Sequence, residues 1–125
     1  MRRITCAWWA LTFFYLCVMF YLSGRTRLNP ALSIFPGEDK LLHFIEYSGL
    51  GFLLFRSLTI SGLERKPLLT AFLIASLYGG FDEIHQHFVP GRESGWLDFI
   101  ADAIGSWAGA RAGQFLFFFS RPYLR

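Results

Sequence analysis

FDEIHQHFVPGRESGWLDF, residues 81–99, joins two segments too apolar to sit comfortably in water. It places two carboxylates, two imidazoles and an amide at the end of a greasy run, and any arrangement of the chain has to account for that. The surrounding composition sets the medium. Of 125 residues 54% are hydrophobic and 19% aromatic, and mean hydropathy is positive, a balance unsuited to a soluble domain of this size.

Working outward from residues 81–99, four stretches reach the roughly 20 apolar residues that cross a bilayer core as a helix. They run from about Ile4 to Leu22, Leu41 to Thr59, Leu68 to Phe88 and Leu97 to Phe119. None alternates as barrel strands do. The expectation is an all-α, small integral-membrane four-helix bundle spanning residues 1–125 as one domain. The connections carry turn signals: Asn29-Pro30 and Pro36-Gly37, then Ser61-Gly62 before Pro67, then Pro90-Gly91.

Arg2 and Arg3 precede the first run, as in a signal peptide, but the run is long and Tyr21-Leu22-Ser23-Gly24 makes a poor cleavage site, so an uncleaved helix is expected. Cys6 and Cys17 lie about 16 Å apart along it and cannot bridge each other. Arg2, Arg3, Arg56, Arg65, Lys66, Arg121 and Arg125 fall on one side of the membrane, and Arg25, Arg27, Lys40 and Arg92 on the other, among acids. This bias puts both termini in the cytoplasm. Trp8, Trp9, Tyr21 and Trp96 fit interfacial belts, and Arg111 can snorkel to the inner interface.

Antiparallel crossings bring the start of the second span, the end of the third and the start of the fourth to one face, here extracytoplasmic. His43, His85, His87 and every acid except Glu64 gather there. At 100° per residue, Asp82, Glu83, His85, Gln86 and His87 share a broad arc continued by Ala75, Ser76 and Gly79, opposite Leu73, Leu77, Ile84 and Phe88. Asp39, His43, Glu46 and Tyr47 line one side of the second span. Asp98, Asp102, Gly105, Gly109 and Gly113 make a stripe on the fourth, and small residues at such spacing let helices approach closely in a bilayer. Three spans are therefore expected around a polar site, with the first mostly a lipid-facing support.

A structural network is the plain reading of this cluster: Lys40 and Arg92 neutralise Asp82, Asp98 or Asp102, and histidines cap carbonyls. Ionisable groups within a membrane are costly, though, about 2.5–3.5 kcal/mol each at mid-bilayer on insertion scales, and a convergent set of them points to function. His43, with Asp82 or Glu83, has the makings of an acid-base pair. Lys40 and Arg92 are suited to hold an anion, with Asp39, Tyr47, Gln86, Asp98 and Asp102 completing the binding wall. Ser94 reads as a helix cap rather than a nucleophile. His43, His85, Asp82, Glu83 and Asp98 include donors a divalent metal can use, but the His-Glu-x-x-His arrangement is missing, so no cofactor is expected.

Asp39-Lys40-x-x-His43-Phe44-x-x-Tyr47, Tyr78-x-x-x-Asp82-Glu83-x-x-Gln86-x-Phe88-x-Pro90-x-Arg92, and Asp98 followed by Gly105 and Gly109 together resemble the VanZ-like membrane protein family. The resemblance covers roughly residues 39–110. It implies a multi-pass bacterial membrane protein, in a family named for a member associated with low-level antibiotic resistance to the glycopeptide teicoplanin. It marks Asp39, Lys40, His43, Asp82, Glu83, Gln86, Arg92 and Asp98 as signature positions. Position 102 departs from the family's usual asparagine; an aspartate there needs a basic partner, such as Arg92, or a proton. The expected partner is a membrane lipid or lipid-linked cell-envelope precursor, not a nucleic acid. A hydrolase or transferase acting on such a headgroup is the alternative, and a transporter ranks last.

Overall fold

The computed structural model describes residues 1–25 and 34–120, the side chain of Ser120 excepted. Four helices follow in order: α1 Arg2–Ser23, α2 Glu38–Ser61, α3 Pro67–His87 and α4 Trp96–Ser120. No strand occurs among the described residues, so the chain is all-α as expected. Arg27, the Asn29-Pro30 turn, Arg121 and Arg125 lie outside the described residues.

Local chemistry explains the boundaries. Gly37 precedes α2 at φ 86°, and Glu38 and Asp39 follow in the first turn, where carboxylates oppose the positive end of the helix dipole. This starts the helix three residues before the apolar run does. Gly62 closes α2 in the left-handed conformation at φ 64°. Pro67 opens α3, where its missing N–H costs nothing, and Gly91 turns the chain at φ 77°. Ser94 does not cap α4. The Gly95 carbonyl accepts from the Asp98 and Phe99 N–H groups, and the Gly95 N–H donates to Glu83 Oε2 at 3.0 Å.

Helix α2 is the central element. Leu50, Leu54, Phe55 and Leu58 on it form a core with Ala71 and Ala75 of α3 and Ala110 of α4. Its tightest partner is α4. A Cβ on Gly105 would strike the Phe44 carbonyl, one on Gly109 the Ser48 carbonyl, and one on Gly51 the Ser106 carbonyl. The two backbones touch along about two turns of α2 because hydrogen is the only side chain that fits. The stripe of small residues read from the sequence is this contact.

Polarity is distributed inside out. Thr12, His43, Ser57, Asp82, Gln86, Asp98, Asp102 and Ser106 are buried, whereas Leu77 is 75% exposed, Phe88 77% and Phe13 69%. The faces of α3 and α4 expected to be apolar point outward: Leu73, Ile84, Ile100 and Ile104 are exposed. By length and composition α1 alone, among the described residues, is apolar enough to cross a membrane. The 24, 21 and 25 residues of α2, α3 and α4 are long enough, but charged groups lower the average, some buried, as Asp82 and Asp102, and some exposed, as Lys40 and Arg111.

Helix α1 is more than a support. Trp9 Nε1 donates to Ser61 Oγ at 2.7 Å, Thr12 and Ser57 hydroxyls pair at 2.9 Å, and the Tyr15 hydroxyl donates to the Glu46 carbonyl at 2.8 Å. Such contacts clamp one helix to another where water is scarce.

The glycine contact sets up a paired test. Gly109→Ala forces a methyl into the Ser48 carbonyl and should destabilise the fold by about 1–3 kcal/mol. In Gly80→Ala the new Cβ comes no nearer than 3.6 Å to the Phe99 ring, and the change should be neutral or stabilising by up to ~1 kcal/mol. Thermal unfolding of both variants in detergent compares them directly; equal losses would remove the close approach as an explanation.

Candidate functional site

The polar residues converge at the end of the bundle where α2 and α4 begin and α3 finishes. On α3 the buried positions Ala71, Ala75, Gly79, Asp82 and Gln86 follow 4-4-3-4 spacing, so one narrow stripe faces inward. That stripe is narrower than the arc read from the sequence, and the difference decides which histidine takes part. His43 is buried in the cluster. His85 turns toward α1, stacked on Phe20 at 4.6 Å between ring centres, and His87 is exposed against Phe88.

Two sets of contacts adjoin. In the first, His43 Nδ1 lies 2.7 Å from Asp102 Oδ1 and 3.7 Å from Glu83 Oε1. At the shorter distance the ring N–H donates to the carboxylate, which leaves the other ring nitrogen for chemistry. Asp102 is 0% exposed, and its partner is therefore His43 rather than Arg92. The Asp102 carboxylate fits because α3 presents Gly79, where a Cβ would stand 3.0 Å from Oδ2. Arg92 is half-buried, and among the described residues no carboxylate lies within ion-pair distance of it.

In the second set, Asp82 accepts from the Ser23 hydroxyl of α1, from the Tyr47 hydroxyl at 3.3 Å and from Gln86 Nε2 at 3.1 Å. Tyr47 joins the two sets. It is 0% exposed, and its ring lies parallel to that of His43 with centres 6.5 Å apart. Ser23 was missed by sequence reasoning, although it ends the first apolar run at the face where the histidines gather.

At the rim, Lys40 Nζ lies 3.0 Å from Asp98 and 3.9 Å from Asp39. Lys40 thus neutralises an acid, as the structural-network reading expects, and is less available as an anion anchor. Two groups of donors fall within 4.8 Å of one another, Asp39 with His43 and Asp98, and His43 with Glu83 and Asp102. Of the metal candidates read from the sequence, His85 and Asp82 belong to neither.

Beside this cluster an open groove of about 580 Å³ runs between α3 and α4. Gly80, Ile84, Phe88, Trp96 and Phe99 give it apolar walls, and Glu83 stands where groove and polar cluster meet. An occupant with an apolar body and a polar end would find both kinds of surface within reach.

Replacing Asp102 separates hydrogen bonding from charge. Asp102→Ala leaves the buried His43 without its acceptor and should cost about 3–5 kcal/mol if the pair is ionic. Asp102→Asn keeps an acceptor oxygen and should cost clearly less. Thermal unfolding of the two variants reads the difference, and equal destabilisation would mean that the 2.7 Å contact is not what holds the imidazole.

A sequence profile of the family described as VanZ/LLP1 matches residues 5–119, nearly the whole chain. No curated protein and no solved structure matches. The chain belongs to the VanZ/LLP1 family.

Proposed function

We propose that this VanZ/LLP1-family chain is a multi-pass protein of the bacterial cytoplasmic membrane, with both termini in the cytoplasm, that engages a lipid or lipid-linked cell-envelope headgroup at the outer leaflet. The observation that carries the reading is a buried polar cluster at one end of a bundle whose outer surface is apolar. A surface with Leu77, Phe88 and Phe13 exposed suits hydrocarbon rather than water. Helices of 21 to 25 residues rise about 31–37 Å, the span of a bilayer core.

Depth and shape supply the rest. The cluster lies within about two turns of the helix ends, at headgroup level, and the groove past Glu83 suits an acyl or isoprenoid chain. By altering which lipid-linked groups are displayed, such a protein would change surface access for glycolipid-like drugs, in keeping with the teicoplanin association from which the family takes its name.

A second reading has its own support. A buried carboxylate 2.7 Å from an imidazole, with a further carboxylate at 3.7 Å, is an arrangement suited to acid-base catalysis. In that reading His43 moves the proton, Asp102 orients the ring, Glu83 assists, and the reaction is hydrolysis or transfer at the same headgroup.

Topology is tested by labelling. With Cys6 and Cys17 replaced by serine, Ser94→Cys should react with an impermeant maleimide in intact cells, and Arg65→Cys only after permeabilisation. The reverse pattern would invert the orientation, and labelling of both in intact cells would exclude the arrangement.

Function is tested by susceptibility and lipid content. His43→Ala and Glu83→Gln should each abolish any change in teicoplanin susceptibility and any lipid that co-purifies with the parent at matched expression. Unaltered susceptibility and lipid capture in both variants would count against the site. Lipid extracts separate the two readings: accumulation of a substrate with loss of a product in Glu83→Gln cells supports catalysis, and lipid capture without turnover supports binding alone.

A further inference from the structure

The cluster that the headgroup reading relies on is acidic, and that creates a difficulty. Glu83 and Asp102 flank His43, Asp82 lies behind Tyr47, and Asp39 and Asp98 stand at the rim with Lys40. Among the described residues, no lysine or arginine forms an ion pair with Glu83 or Asp102. A phosphate-bearing headgroup brought here meets carboxylates of its own sign in a region where water screens little.

Unpartnered carboxylate oxygens point to what resolves this. Asp102 is fully buried, yet its Oδ2 has no hydrogen-bond partner, and the buried Glu83 Oε1 has none either. The Gly95 N–H holds Glu83 Oε2 at 3.0 Å, and Oε1 is turned toward His43. Orphaned buried carboxylate oxygens cost free energy unless something positive completes them.

We propose that His43, Glu83 and Asp102 form a site for one divalent first-row transition ion, of the Zn²⁺ or Mn²⁺ kind. One imidazole and two carboxylates suit such ions. Ligand atoms bound tetrahedrally at ~2.0–2.1 Å stand roughly 3.3 Å apart. The distances here, 2.7 Å from His43 Nδ1 to Asp102 and 3.7 Å to Glu83, bracket that separation. The ion takes the place of the proton that His43 Nδ1 and Asp102 share. The neighbouring donor set of Asp39, His43 and Asp98 is the poorer choice, because Lys40 already neutralises its acids.

Three protein ligands leave a coordination position open, and Glu83, one of the three, also lines the groove. An ion there offsets the charges of Glu83 and Asp102 and offers an anion a coordination position in an otherwise acidic cluster. This consequence rests on the headgroup reading, whereas metal binding itself does not.

The test uses the full chain purified in detergent and stripped with EDTA, then titrated with Zn²⁺ against a chromophoric chelator. About one ion should bind per chain. Asp102→Asn and Glu83→Gln should each weaken binding by about tenfold or more, and the double variant His85→Ala/His87→Ala should bind as the parent does. Should a ligand variant fail to fold, Co²⁺ bound to the parent should give the intense visible bands of a low-coordinate site with imidazole and carboxylate ligands. Absence of stoichiometric binding, affinity unchanged in both ligand variants, loss in the His85/His87 variant, or a hexaaquo-like Co²⁺ spectrum would each overturn the site. Lipid capture is then measured separately in nanodiscs containing phosphatidylglycerol, with and without EDTA. Capture that depends on the ion supports the link; capture that survives EDTA upholds the headgroup reading and overturns the link, and metal binding without capture does the reverse.

Discussion

The contact of α2 with α4 at backbone distance is the constraint on which the rest depends. Gly51, Gly105 and Gly109 remove side chains from the seam, so the carbonyls of Phe44, Ser48 and Ser106 lie against the neighbouring helix. Only at that separation can side chains as short as Asp102 and His43 reach each other at 2.7 Å across the interface. The glycines and the polar site are two parts of one device: close approach of the helices creates a dry cleft, and the imidazole–carboxylate pair fills it.

Around that seam the chain inverts the usual distribution of polarity. Hydroxyls, carboxylates and an amide face inward, while many Phe and Leu side chains outside the Leu50–Leu58 core are exposed. In water this would sacrifice apolar burial and strand polar groups together. In hydrocarbon the same distribution is favourable, because interhelical hydrogen bonds such as Thr12 to Ser57 and Ser23 to Asp82 have no competing water. Membership in the VanZ/LLP1 family, the apolar exterior and helix lengths near a bilayer's thickness are mutually consistent.

Within the cluster, side chains divide by whether their partners satisfy them. Asp98 is matched by Lys40, and Asp82 by Ser23, Tyr47 and Gln86. These contacts are what a structural network would contain. Asp98 Oδ1 lacks a hydrogen bond too but has Lys40 Nζ at 3.0 Å, whereas the bare oxygens of Asp102 and Glu83 have no lysine or arginine ion pair among the described residues, and it is this pair with His43 that has the character of a site.

The amino-acid sequence by itself determined four helices, their ends to within about three residues, the small-residue stripe on α4 and the single face at which the acids and His43 collect. Those features follow from local rules: apolar run length, glycine and proline at turns, and a fixed 100° step per residue. The tertiary structure alone decided the rest. It kept His85 out of the His43–Glu83–Asp102 group and set it against Phe20 and Ser23 of α1, because a broad arc on a helical wheel does not say which edge of the arc meets α2 and which meets α1. It gave Asp102 to His43 and not Arg92, because charge alone cannot choose between partners whose reach depends on the distance between helix axes. It brought Ser23 to Asp82, since a hydroxyl at the end of an apolar segment becomes informative only when another helix is placed beside it.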